Sequence, residues 1–179
     1  MKQLFFAAAL SALLLQACSG DTKTNNTDDV VPANQTALDL TAQGFPLKIN
    51  VPDSTFGFAE VMETAGGVEI RVGSKFDIMV NTAAPEDMDM KQQKALAQAS
   101  MDGATVKFTI DTDTTLVWET KFGDLEAVNH FYMLKKIGND TYYVRDNNQN
   151  PENQFKAAEI TRMQEAARSL RAKPAAPAA

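Results

Sequence analysis

Cysteine, histidine and tryptophan each occur only once in this sequence of 179 residues. A single cysteine excludes an intrachain disulfide, and a single histidine leaves few groups from which an acid–base site is built. No apolar run reaches the roughly 20 residues that a permanent membrane-spanning helix needs. The domain must therefore be stabilised by its core alone, and 44% of the residues are hydrophobic.

Basic residues are also scarce. The chain has 17 Lys and Arg against 23 Asp and Glu, and its isoelectric point is near 4.8. Nucleic-acid binding needs clustered Lys and Arg that displace counterions, so this composition disfavours a nucleic-acid partner. Electrostatic attachment to anionic lipid is disfavoured for the same reason.

The beginning of the chain has the pattern of a secretory signal. Lys2 precedes an apolar run from Leu4 to Leu15, and the segment 15–18 is Leu-Gln-Ala-Cys. This exit resembles the lipobox of bacterial lipoproteins. The resemblance implies that residues 1–17 are a cleaved signal peptide and that Cys18 carries acyl chains such as palmitate.

The residue after the cysteine is Ser19 rather than Asp. In the family's sorting logic, this implies the outer membrane of a Gram-negative bacterium. The residues indicate no choice between the periplasmic and the outer surface. Two or more acyl chains give stable anchoring, so the membrane is the first expected partner.

The rest of the chain divides by composition. Residues 18–37 are polar and rich in turn formers, which predicts a lipidated cysteine followed by a flexible tether. Residues 38–172 contain the apolar patterning and predict a single domain. Residues 173–179 form a Pro/Ala tail with no packing face.

Within the domain, apolar residues alternate with polar ones, which predicts β-strands. Strands are expected near 45–51, 56–63, 68–72, 76–80, 104–110, 116–119, 128–137 and 141–145. The last two are predicted to form a hairpin through Gly138-Asn139-Asp140. Helical spacing appears near 86–101 and 152–171. The predicted fold class is α+β: one antiparallel sheet of about seven or eight strands, packed with two helices.

Two segments carry a further resemblance. Residues 45–52, Phe-Pro-Leu-Lys-Ile-Asn-Val-Pro, are similar to the opening strand of Mog1/PsbP-like proteins, and the Ala-Arg-Ser-Leu of residues 167–170 is similar to the end of their last helix. The resemblance implies an α/β/α arrangement and roles in binding and assembly. It implies no catalytic residues.

Catalytic motifs are scarce. His130 lies within an apolar strand, where a packed, hydrogen-bonded ring is favoured over a general base. The serines lack the Gly-x-Ser-x-Gly and Ser-x-x-Lys frames of known nucleophiles, and Gly66-Gly67 is typical of a turn rather than a phosphate loop. We predict no catalytic residue and no cofactor site. A pair of carboxylates for glycoside hydrolysis stays open among so many acids.

Two weak metal patterns are present. Asp111, Asp113 and Glu119 carry the oxygen ligands that Ca²⁺ prefers, but a solvated turn is favoured because the rest of a calcium loop is missing. Met88 and Met90 are soft ligands suited to Cu(I), although methionine is also an ordinary core filler. We predict no metal site.

Charged residues on the predicted strands suggest one polar sheet face, either a solvated surface or a weak polar interface: Lys48, Glu69, Arg71, Lys107, Glu119 and Lys121. The leading functional hypothesis is a non-enzymatic, outer-membrane-anchored module that binds an envelope protein or glycan. The alternatives are a small carboxylate-based envelope hydrolase and a carrier of an apolar ligand.

Overall fold

The computed structural model describes residues 30–99, 103–147 and 154–174. The predicted signal peptide, Cys18 and most of the tether lie outside these ranges, as do residues 175–179 of the predicted tail. None of the helices within these ranges is long and apolar enough to span a membrane.

The strands and α-helices of the described residues follow in this order: β1 (Gln35–Asp39), β2 (Leu47–Pro52), β3 (Ala59–Thr64), β4 (Gly67–Val72), β5 (Asp77–Thr82), α1 (Met90–Ala99), β6 (Ala104–Asp111), β7 (Thr115–Phe122), β8 (Val128–Ile137), β9 (Asp140–Asp146), α2 (Ala157–Ser169) and β10 (Arg171–Ala172). Short 3-10 turns occupy Thr41–Gln43 and Pro85–Met88.

Seven strands form one antiparallel sheet in the order β3-β4-β5-β9-β8-β7-β6. The α+β prediction is therefore confirmed, with a seven-stranded antiparallel sheet and two α-helices. The strand alternation has the expected cause: Val68, Ile70 and Val72 point into the core, whereas Glu69 and Arg71 point to the other face.

The prediction of a single sheet needs a correction. β2 lies in a second, three-stranded sheet between β1 and β10. Strand β1 begins at Gln35, three residues before the predicted start of the domain, because its backbone pairs with β2 from Pro52 to Lys48. At the other end, the Lys173 amide still donates to the Pro46 carbonyl at 2.8 Å, one residue beyond the predicted domain boundary.

Both helices begin later than their patterns suggest. The carboxylate of Asp89 accepts from the amides of Lys91 and Gln92 at 3.0 and 3.1 Å, so α1 starts after Asp89 rather than at residue 86. For α2, the Glu159 carboxylate accepts from the Lys156 amide at 2.9 Å and marks the start of the helix.

The main core lies on one face of the seven-stranded sheet. Strand side chains such as Ile70, Val80 and Phe131 meet Met163 of α2 and Ile49 of β2, and all five are fully buried. The opposite face is covered differently. Only Ala97 of α1 is buried there, against a small cluster of Leu116, Trp118 and Tyr132. Because α1 buries so little of this sheet face, a cleft remains between the helix and the sheet.

Candidate functional site

A cleft of about 510 Å³ lies between α1 and the seven-stranded sheet. Strands β7, β8 and β9 form its floor, and α1 with the turn before it forms its roof. Its lining combines aromatic, polar and charged groups: Asp87, Gln93, Leu96, Ala97, Trp118, His130, Phe131, Tyr132, Tyr143, Arg145 and Asp146. Ligand sites in proteins commonly have this size and mixture of groups.

A buried His–Asp pair occupies the floor of the cleft. His130 Nδ1 lies 2.8 Å from Asp146 Oδ2, and the two residues are 5% and 2% exposed. An ionised carboxylate only accepts hydrogen bonds, so Nδ1 carries the proton in this contact. The other oxygen of Asp146 accepts from the Phe131 amide at 2.8 Å. Both oxygens of the buried carboxylate are therefore satisfied internally.

The register of the strands explains why Asp146 takes this position. Strand β9 pairs with β8 only as far as Arg145, opposite Tyr132, while its pairing with β5 continues to Asp146, opposite Ile78. Beyond the last β8–β9 pair, the Phe131 amide lacks a backbone acceptor on β9. The carboxylate of Asp146 supplies that acceptor and holds the imidazole at the same time.

Aromatic rings surround the pair. The ring of Trp118 lies over that of His130 with centroids 5.3 Å apart, because the two residues are directly opposite on β7 and β8. Tyr132 and Tyr143 stack at the same centroid distance. Burial, and next the charge of Asp87, raise the pKa of Tyr132 well above its usual range. Its hydroxyl therefore stays protonated and donates to the Asp87 carbonyl at 2.9 Å.

Arg145 joins the cleft to a second, more open concavity of about 570 Å³ on the same sheet face. Its guanidinium donates to the sulfur of Met79 at 3.3 Å. In the second concavity, Arg71 contacts Glu69 at 2.7 Å and Asp77 at 3.4 Å. Desolvation opposes the charge of Arg71, but these two carboxylates outweigh it and raise the pKa of Arg71.

The predicted polar face does not exist as one surface. Glu69 and Arg71 lie on the cleft face, whereas Lys107 and Glu119 pair at 3.3 Å on the opposite face of the sheet, near its β6 edge. Lys121 follows Glu119 on that face by strand alternation. Lys48 belongs to β2 in the three-stranded sheet. Sequence alternation identified exposed positions but not which face each strand presents.

The weak metal patterns separate in the same way. Asp111 pairs with Lys94 of α1, and Glu119 pairs with Lys107. Met90 packs against the Trp118 cluster, while Met88 is 43% exposed. Among the described residues, no group of three or more histidine, cysteine, aspartate or glutamate side chains is placed to hold a metal ion.

The carboxylates of the cleft serve the fold. The two oxygens of Asp146 accept hydrogen bonds from His130 and from the Phe131 amide. Asp87 Oδ2 accepts from the Ala84 amide at 2.9 Å and so closes the turn before α1. A carboxylate-based hydrolase needs one acid to give up a proton and a second to act as base or nucleophile. Both oxygens of Asp146 and one oxygen of Asp87 accept hydrogen bonds that belong to the fold.

Sequence reasoning considered His130 but missed Trp118, Arg145 and Asp146. One signal was present: Arg145 and Asp146 are charged residues at the end of a strand whose preceding residues are aromatic and apolar. No protein-family model matches the chain, and no curated protein is significantly similar to it.

Proposed function

We propose that this protein is a lipid-anchored envelope module that binds a glycan in the cleft between α1 and the seven-stranded sheet. The supporting observation is the difference between the two faces of that sheet. One face is filled by α2 and β2, whereas the other keeps an open cleft with a buried histidine, an arginine and aromatic rings. Aromatic faces with a few fixed polar groups suit sugar rings, which have apolar faces and hydroxyl edges.

The proposed location depends on the lipobox resemblance. Cys18 would carry the acyl chains, Ser19 would direct the protein to the outer membrane, and the polar segment before Gln35 would act as a tether. The protein would then search for its ligand within the reach of a short flexible chain, roughly 20–25 Å for about 17 residues.

A binding role is favoured over a carboxylate-based hydrolase because three of the four oxygens of the cleft carboxylates accept structural hydrogen bonds. A carrier of apolar ligands has less support, since charged and polar side chains line the cleft. One observation favours a second candidate: the His130–Asp146 contact has the arrangement of a general base with its orienting carboxylate. A hydrolase of this kind would use His130 to activate water.

The test is a pull-down from intact envelopes with the lipidated protein, combined with a variant that fills the cleft. Ala97 is the α1 residue that is buried against the sheet, and it lines the cleft, so Ala97→Phe places a ring there. Ala95→Phe adds the same ring at an exposed position of the same helix. We expect glycan to be recovered with the wild type and with Ala95→Phe, and at least tenfold less with Ala97→Phe.

Equal recovery with both phenylalanine variants would contradict the proposal. The hydrolase alternative would replace it if the purified protein releases soluble glycan fragments and His130→Gln abolishes their release. Recovery of an envelope protein in place of glycan, lost only with Ala97→Phe, would assign the cleft to that partner and would also overturn the glycan proposal.

A further inference from the structure

Exposed apolar side chains gather at one end of the seven-stranded sheet. The start of β3 and the β4–β5 and β7–β8 connections lie at this end, because each strand is antiparallel to its neighbours. Phe58, just before β3, is 88% exposed, and Leu125, between β7 and β8, is 68% exposed. Phe56 and Phe122 are partly exposed beside them in the chain. We call these four side chains the apolar end, because several exposed apolar groups in one region mark an interaction surface.

The chain enters the domain at the same end of the sheet. Strand β1 begins at Gln35, which pairs with Pro52, and the Asn34 carbonyl accepts from the Asp53 amide at 3.1 Å. Asp53 opens the loop that carries Phe56 and Phe58. The opposite end of the sheet is about 20–35 Å farther away, since its strands have 6 to 10 residues. A short tether before Gln35 therefore keeps the apolar end, rather than the opposite end, close to its anchor.

The loop before β3 is held in place by close backbone packing. Gly57 has a φ of +140°, and a Cβ atom there would lie 2.8 Å from Gly73 Cα in the β4–β5 turn. A Cβ atom on Gly73 would collide with the Phe56 carbonyl. On the other side, the Arg162 guanidinium of α2 lies 4.1 Å from the centroid of the Phe56 ring. The fold thus presents Phe58 to solvent from a fixed backbone, which lowers the entropy cost of binding.

The spacing of the apolar side chains suits a flat surface. Four to five strand spacings separate β3 from the β7–β8 connection, so Phe58 and Leu125 lie about 20–25 Å apart. A small ligand is too short to contact both side chains. A planar lipid surface meets both at once, and Phe and Leu are residues that insert into the interface of a bilayer.

The charges of this end oppose a purely electrostatic attachment. Lys75 of the β4–β5 turn lies 3.9 Å from Glu159, and Lys156 lies 3.7 Å from Glu126 of the β7–β8 connection. The nearby cations are thus matched by carboxylates of the same domain. Attraction to anionic lipid needs an excess of basic residues, so insertion of apolar side chains is the favoured mode.

We propose that the apolar end docks on the lipid bilayer to which Cys18 anchors the chain, with Phe58 and Leu125 inserted at the level of the lipid headgroups. The inference rests on the lipid anchor of the proposed function and adds an orientation to it. In the docked domain the strands of the seven-stranded sheet run away from the membrane. The cleft beside α1 then opens parallel to the membrane surface.

The experiment measures membrane depth in the full, lipidated chain. The acylated Cys18 has no free thiol, so one introduced cysteine carries a spin label at a single position. Ser54→Cys and Asp124→Cys place the label at the apolar end, and Asn139→Cys places it in the β8–β9 turn at the opposite end; all three positions are exposed. The protein is reconstituted in phosphatidylcholine vesicles, and collisions with oxygen and with a water-soluble nickel complex report the depth.

We expect the labels at positions 54 and 124 to contact lipid and the label at position 139 to stay in water. Raising the salt from about 0.05 to about 0.5 M should leave these depths unchanged, because apolar insertion is not screened. This comparison uses the native apolar side chains and does not depend on removing any of them.

Variants assign the docking to Phe58. Phe58→Ser should lower the ratio of docked to undocked protein at least about tenfold, as expected for a phenylalanine ring that loses its apolar contact. Phe58→Leu should keep most of the docking. Met88→Ser is the matched control, because Met88 is an exposed apolar residue in the turn that follows the opposite end of β5. Phe58 is exposed, so its replacement leaves the core intact.

The outcomes separate this inference from the proposed function. Labels in water at both ends of the wild type, or equal docking of Phe58→Ser and Met88→Ser, would overturn the inference and leave anchoring and glycan binding intact. Dipolar coupling between labels at position 54 of two molecules, with no lipid contact, would assign the apolar end to contact between copies and would also overturn it. Absence of palmitate on Cys18, measured separately by labelling, would remove the anchor on which both proposals depend.

Discussion

Asp146 shows how one residue serves both the fold and the candidate site. Its carboxylate replaces a backbone acceptor where β8 and β9 separate, and it fixes the proton of His130 on Nδ1. The prediction of a packed, hydrogen-bonded histidine is confirmed, since His130 is buried and bound to this carboxylate. The same contact leaves Nε2 as the ring nitrogen for the cleft.

The structural part of this role predicts an asymmetry between two substitutions. Asp146→Ala removes the acceptor of the buried Phe131 amide, and an unsatisfied buried donor costs about 1–3 kcal/mol. Asp146→Asn retains one oxygen in the same place and should cost clearly less. Urea denaturation of the two variants measures the difference. Equal loss of stability in both would mean that the charge of Asp146, rather than its acceptor, supports the fold.

At the scale of elements, the ends of the domain are held together around β2. Strands β1 and β10 flank it, and the Lys173 ammonium lies 2.7 Å from Asp39 Oδ2 at the end of β1. Hydrogen bonds from Lys173, then from the Thr41 hydroxyl and amide, hold the pKa of Asp39 well below its usual range. The segment after β10 is thereby tied to β1 as well as to β2.

This contact predicts a pH dependence with a defined sign. Because the folded-state pKa of Asp39 is lowered, its contribution to stability is complete above the unfolded value of about 4 and is lost as the pH falls below it. The urea midpoint of the wild type should therefore exceed that of Asp39→Asn at pH 6, and the gap should shrink towards pH 2. The exposed Asp113→Asn is the control. A gap that does not change with pH would contradict the assignment.

Helix α1 packs less extensively on the sheet than α2 does, since Ala97 is the one buried residue of α1. The Tyr132 hydroxyl fastens the turn before it by donating to the Asp87 carbonyl. Tyr132→Phe should lower the free energy of unfolding by about 0.5–1.5 kcal/mol and speed hydrogen exchange in α1. Tyr142→Phe removes a hydroxyl on the other sheet face and is the control. Unchanged hydrogen exchange in α1 would contradict this prediction and show that the packing of α1 on the sheet does not depend on the Tyr132 hydrogen bond.

At the scale of the whole molecule, the seven-stranded sheet separates stability from the candidate function. The face towards α2 and β2 buries the main core, and the face towards α1 keeps the cleft and the second concavity. A ligand can bind to the second face without disturbing the packing of the first. This arrangement suits a binding module that must stay folded without disulfides.

Attachment to the membrane is a property of the whole chain and makes a separate prediction. Cys18→Ser removes the only thiol, so labelling with palmitate and partition with outer membranes should both be lost. The glycan affinity of the purified variant should stay unchanged, because the cleft lies in the folded domain. Labelling that persists in Cys18→Ser would contradict the lipobox interpretation.

The strand pattern was readable from sequence because alternation has a local cause. An apolar residue such as Ile70 or Val80 is buried whichever strand lies beside it. The alternation of apolar and polar residues along each strand is therefore visible in the sequence. The hairpin of β8 and β9 was predicted for the same reason, since Gly138 and its neighbours supply a turn between two adjacent strands. The α+β class followed from these local signals.

By contrast, the sheet face that a side chain occupies and the residue that it contacts depended on tertiary structure. Whether Arg71 and Lys107 share a surface depends on the register of strands far apart in the chain, and strand alternation cannot specify it. The separate sheet of β1, β2 and β10 arises from pairing between the two ends of the domain. Likewise, Asp146 meets His130 only because β9 leaves β8 after Arg145. The local sequence pattern shows whether a side chain must be buried or hydrogen-bonded. The pairing of strands far apart in the chain decides which residue becomes its partner.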